Sequence, residues 1–127
     1  MEKASLNNRE AIEFLVNEFY AEVRKDPLLG PVFHEVIGDN WDAHLEKMYR
    51  FWETILLNVK SYNGSPFKVH RSLPIDNKHF QRWVDLFIKK VNQHFRGTHA
   101  DEAVSRAKTL GLTFSYKKDY LDKNQTN

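Results

Sequence analysis

A chain of 127 residues without cysteine fits a single domain, and excludes a disulfide framework, a thiolate zinc site and a cysteine nucleophile. Its 19 basic and 17 acidic residues are nearly balanced and interspersed, which argues against a nucleic-acid partner. No apolar run approaches the roughly 20 residues of a membrane span, and Met1–Asn8 lacks the apolar core of a signal peptide, so a soluble, cytoplasmic protein is expected.

The first helix is expected to start at Asn7 or Asn8, either of which can cap it. Ile12, Leu15, Val16, Phe19, Tyr20 and Val23 recur at spacings of three and four, which is one helical face. Pro27, Gly30 and Pro31 break the chain into a short second helix or turn anchored by Val32, Phe33, Val36 and Ile37. Gly38-Asp39-Asn40 is a stop followed by a cap. A third helix runs from about Trp41 to Asn58, with Trp41, His44, Leu45, Met48, Phe51, Trp52, Ile55 and Leu56 as a broad stripe. Residues 59–68 read as a loop, and a short turn carries Val69, His70 and Leu73 before Pro74. A long helix capped by Asp76 or Asn77 extends to about Phe95, with Phe80, Trp83, Val84, Phe87, Ile88 and Val91 on its stripe. Gly97 closes it. The last helix spans about Thr98 to Tyr120, with Ala100, Ala103, Val104, Ala107, Leu110 and Phe114 inward. No strand alternation is evident. The class is all-α with about four long helices, and residues 1–7 and 121–127 are expected to fray.

Nine Phe, five Tyr and three Trp are many for a small helical protein, whose helices can pack on Leu and Ala alone. The surplus suggests walls for something flat or large. The six histidines are the place to look for chemistry. His34, His79 and His94 sit beside polar neighbours or at helix ends, and His99 lies next to a turn. His44 lies on an apolar stripe, so it is either a core-edge histidine bonded to a carbonyl or a polar group aimed into a pocket lined by Met48 and Trp52. His70, on a loop-hung turn, either faces water or approaches a cofactor opposite a long helix. Tyr20 and Trp83 sit on inner faces, and their O–H and N–H need partners when buried. With His44 they offer three donors for one small polar ligand, or they simply bond backbone carbonyls. No HExxH, no paired metal-spaced histidines, no phosphate loop and no GxSxG is found.

The ordered set of segments resembles the truncated haemoglobins, specifically group III. Phe19-Tyr20 with Val23-Arg24-Lys25-Asp26-Pro27-Leu28-Leu29-Gly30-Pro31-Val32-Phe33 is similar to that family's entry helix and turn. Trp41-Asp42-Ala43-His44-Leu45 with Phe51-Trp52 is similar to its distal helix. Tyr62-Asn63-Gly64-Ser65-Pro66 with His70-Arg71-Ser72-Leu73-Pro74 resembles its proximal loop and ligand, and His79-Phe80-Gln81-Arg82-Trp83-Val84-Asp85-Leu86-Phe87 its next long helix. The likeness covers roughly Ile12 to Phe114, and the Gly-Gly pairs typical of groups I and II are absent.

The resemblance implies a globin-like, shortened two-over-two helical sandwich around haem b, formed by one domain over residues 1–127. It makes His70 the proximal iron ligand and Tyr20, His44 and Trp83 the distal set. Phe33, Leu45, Met48, Phe51, Trp52, Val69, Phe80 and Phe87 become candidates for the apolar cage, and Lys68 and Arg71 for the haem propionates. The implied ligand is O2, with NO and CO as further diatomic ligands, in a monomer. An enzymatic alternative is nitric oxide oxidation or peroxide reduction with an unidentified reductase. Without the resemblance, the amphipathic helices fit a haem-free helical interaction module equally well.

Overall fold

The computed structural model describes residues 3–58 and 77–125, with residues 114–125 as backbone only. Helix α1 covers Arg9–Lys25, α2 Gly30–Ile37, α3 Trp41–Leu57, α4 Asn77–His94 and α5 Thr98–Gln125. Two short strands, β1 (Ala4–Ser5) and β2 (Phe95–Arg96), pair in parallel, Ala4 with Phe95 and Ser5 with Arg96. Helices α1 and α3 form one pair and α4 and α5 the other, with α1 lying on α4. This is the expected two-over-two sandwich.

Each boundary has a local cause. Asn8 caps α1, its Oδ1 accepting from the Ala11 N–H at 2.8 Å. Pro31 sits in the first turn of α2, where its missing N–H costs nothing. Gly38 (φ +56°) ends α2, Asn58 (φ +57°) follows α3, and Gly97 (φ +103°) turns the chain from β2 into α5. All six residues of the expected α1 stripe are buried. On α5, Ala100, Ala103 and Ala107 are buried, and a Cβ on Gly111 would overlap Cγ2 of Val84. That row of small residues lets α5 approach α4 closely.

Three expectations need correcting at the margins. Residues 1–7 do not fray throughout, because Ala4–Ser5 pairs with β2 and Leu6 is buried. The last helix continues past Tyr120 to Gln125. The long fourth helix stops at His94, one residue early, because Phe95 joins β2. The turn carrying His70, the loop before it and the cap Asp76 lie outside the described residues, as do the side chains of Phe114 and Tyr120.

Polar ties lock the helix pairs together. Asp26 is buried where α1 turns into α2. Its Oδ2 accepts from the N–H groups of Leu28 (3.1 Å) and Leu29 (2.9 Å), and its Oδ1 accepts from Arg82 Nε of α4 at 2.7 Å. At the next residues Gly30 is required, since a Cβ there would stand 2.8 Å from the Arg24 carbonyl. Lys90 of α4 is buried yet paired, 3.2 Å from Glu22 and 3.9 Å from Glu18 of α1. Arg9 bridges α1 to α3 through Glu53 (2.6 Å) and Glu46 (3.0 Å).

Burial raises the Asp26 carboxyl, but Arg82 and the Leu29 and Leu28 N–H groups outweigh it and hold it below the ordinary value of 3.8. A carboxylate with a lowered folded pKa stabilises the fold above its unfolded pKa and loses that contribution as pH falls through the folded one. Asp26→Asn should therefore cost about 1–3 kcal/mol at neutral pH. In denaturant titrations that deficit should shrink below about pH 4 as the wild-type carboxylate protonates. An equal deficit at acid and neutral pH would show that the ion pair is not its source.

Candidate functional site

The inner faces of α1, α3 and α4 bring aromatic rings to one place. Tyr20 of α1 meets the ring of His44 of α3 edge-on at 5.0 Å, and Trp41 at 6.0 Å. Phe33 of α2 closes another side at 6.1 Å. Beneath them Phe19 is enclosed edge-on by Tyr20 (4.8 Å), Trp83 (5.6 Å) and Phe87 (5.2 Å). Trp83 stacks on Phe87 at 5.8 Å, Phe87 stacks on Trp52 at 4.6 Å, and Phe51 stands against Trp52 at 5.3 Å. One continuous aromatic wall thus runs from Phe33 to Phe51 across four helices.

The polar atoms in this wall are few. Burial pushes the Tyr20 phenol far above its ordinary value, and the nearby Trp83 N–H offsets that only in part. Tyr20 is therefore a neutral O–H. Trp83 Nε1 lies near enough to influence that oxygen, yet it falls short of full hydrogen-bond geometry and is buried with no acceptor among the described residues. Trp41 Nε1 is likewise buried without an acceptor among them. A buried donor with no partner costs about 1–3 kcal/mol, so the cluster favours any small acceptor that enters it.

The three expected distal residues, Tyr20, His44 and Trp83, are thus brought together. Among the expected cage residues, Phe33, Phe51, Trp52 and Phe87 are buried in the wall, and Leu45 and Met48 are partly buried against the core. Phe80 is buried and lines a cleft of about 450 Å³ between α4 and α5, with Val84, Ile88, Gly111 and Leu112; none of Tyr20, His44 or Trp83 lines it. His70, Lys68, Val69 and Arg71 lie outside the described residues. Among the described residues, no group of three or more His, Cys, Asp or Glu side chains could hold a metal ion, and no helix is long and apolar enough to cross a membrane.

Sequence reading missed two neighbours of the site. Trp41 stands three residues before His44, on the same helical face, and that spacing could have included it. Phe19 was legible as core, but its place against both Tyr20 and Trp83 depends on how α1 crosses α4.

The site fits a flat, largely apolar cofactor: aromatic walls, and indole N–H groups lacking acceptors among the described residues. Comparison with known proteins points the same way. The bacterial-like globin family matches residues 5–112. Group 3 truncated hemoglobin ctb of Campylobacter jejuni is 35% identical over 111 residues, covering 84% of this chain and 87% of that one. The crystal structure of a group III truncated hemoglobin from Campylobacter jejuni superposes with a TM-score of 0.84 at 33% identity, covering 91% of this chain and 94% of the other.

The burial of Tyr20 has a direct spectroscopic consequence. In an alkaline absorbance titration, wild type and Tyr20→Phe should gain the same tyrosinate signal around the ordinary value of 10. They should differ by one residue's worth only after the protein unfolds. A smaller signal in Tyr20→Phe before unfolding would mean that the phenol reaches water.

Proposed function

The chain belongs to the bacterial-like globin family, as a group III truncated haemoglobin, and we propose that it binds haem b and, on it, a diatomic gas, O2 first. The observation that carries this reading is the cluster of Tyr20, His44 and Trp83 on one aromatic wall, with a neutral phenol and a buried indole N–H that has no acceptor among the described residues.

Haem, when bound, would supply an iron able to take one protein ligand and a diatomic gas. His70 is the residue for the protein side: neutral imidazole is a good iron ligand, and its second ring nitrogen can donate to a carbonyl that fixes the tautomer. Lys68 and Arg71, close to it in sequence, suit the propionates as counter-charges. On the gas side, Tyr20 O–H and Trp83 N–H are placed to donate to a ligand that carries partial negative charge, and His44 stands beside them. Donors already fixed by packing lose little freedom when the ligand arrives, and in a dry pocket their dipoles are poorly screened. Their chief effect is therefore to slow ligand release. Phe33, Phe51, Trp52 and Phe87 would exclude water and offer the macrocycle apolar surface, with Leu45 and Met48 packed beside them.

Two measurements test this. Protein supplied with haem should show a Soret band that shifts between ferric, ferrous and CO forms, and His70→Ala should lose it or convert it to a weakly bound form; unchanged haem content and spectra in that variant would defeat the ligand assignment. Trp83→Phe and Tyr20→Phe should each speed O2 release roughly tenfold, the equivalent of about 1.4 kcal/mol for one hydrogen bond. Release rates equal to wild type in both variants would remove the donors from the ligand's surroundings.

A further inference from the structure

Trp41 opens α3 at the point where α1, α2 and α3 meet. Its ring touches the donor cluster, 5.9 Å from His44 and 6.0 Å from Tyr20. The same ring touches two groups on the surface. The guanidinium of Arg24 lies over it at 4.6 Å, and His34 meets it edge-on at 5.9 Å. Arg24 and His34 are exposed, while Trp41 is 7% exposed. The indole thus stands between two exposed side chains and the rings of Tyr20 and His44, the latter half-buried.

Ring contacts and one cation hold this indole. Its N–H finds no acceptor among the described residues, so no hydrogen bond fixes the ring angle. His34 is occupied elsewhere, its Nε2 3.2 Å from the Arg24 carbonyl. The surface attachment is the cation–π stack beneath Arg24, an interaction that is weak where the cation meets solvent. Trp52, which is buried, and Trp83, which is half-buried, are by contrast stacked face to face on Phe87.

We propose that Trp41 is a gate on the route from solvent to the donor cluster, and that Arg24 is its latch. Swinging the indole out from under the guanidinium opens a passage beside Tyr20 and His44 wide enough for a diatomic gas. Closing it covers Tyr20 again. Arg24 acts through Trp41 and is a positioning residue. The gate rests on the gas-binding reading given above, because a door matters only where something enters.

The test uses the haem-loaded protein and CO as the probe. After flash photolysis, Arg24→Ala should bind CO about two- to fivefold faster than wild type, the change in open population expected from losing one exposed cation–π contact. Arg24→Lys, which keeps a cation, should stay near wild type, and Trp41→Ala should exceed the Arg24→Ala effect. A second readout needs no haem. In protein labelled with 5-fluorotryptophan, the Trp41 resonance, identified by its absence in Trp41→Phe, should shift or broaden in Arg24→Ala. An unchanged CO association rate in haem-loaded Arg24→Ala, or an unshifted and sharp Trp41 resonance, overturns the proposal. If the wild-type protein takes up no haem, the gas-binding reading fails, and the fluorine spectrum still decides whether Arg24 latches the ring.

Discussion

Phe19 is the contact on which the donor cluster depends. Its ring is fully buried and stands edge-on to Tyr20 on its own helix and to Trp83 and Phe87 on α4. Each such aromatic pair contributes about 0.5–1.5 kcal/mol beyond the area it buries, so three around one ring form a stiff joint. Because Phe19 and Tyr20 are consecutive, the joint that seats one against α4 also sets the direction of the other towards α3. Phe87 extends the same joint to α3 through its stack on Trp52. The hydroxyl of Tyr20, the ring of His44 and the indole of Trp83 are therefore positioned by hydrophobic packing. The polar atoms are left to serve whatever enters.

The charged residues do the complementary work outside the wall. Asp26 with Arg82, Lys90 with Glu22, and Arg9 with Glu53 and Glu46 each join α1 or its C-terminal end to another helix. Arg82 immediately precedes Trp83, so the ion pair to Asp26 constrains the backbone that carries the indole. The result is a site whose Tyr20 and Trp83 donors are uncharged, which suits a ligand that carries only partial charge. A fixed cation in the same place would attract anions instead.

Much of this was legible in the sequence. The α1 stripe was complete because its period of three and four is undisturbed over six residues, and the helix ends were marked by Asn8, Gly38 and Gly97. Tyr20, His44 and Trp83 were each visible as polar groups on apolar faces, but their meeting depends on the crossing of three helices, which periodicity cannot supply. Lys90 was hidden for a related reason: a lysine reads as solvated until Glu22 and Glu18 on a distant helix are seen beside it. The pairing of Ala4–Ser5 with Phe95–Arg96 had no signal at all, since two residues are too few to show alternation. His70 was singled out through the family resemblance; by residue type and spacing alone it is a loop histidine.

A crystal structure of the haem-loaded, ligand-bound chain tests the central claim most directly. It should show His70 bonded to iron on one face of the macrocycle, with Tyr20 Oη and Trp83 Nε1 within hydrogen-bond distance of the diatomic ligand on the other. Iron held by a different residue, or a ligand whose surroundings exclude both donors, would contradict it.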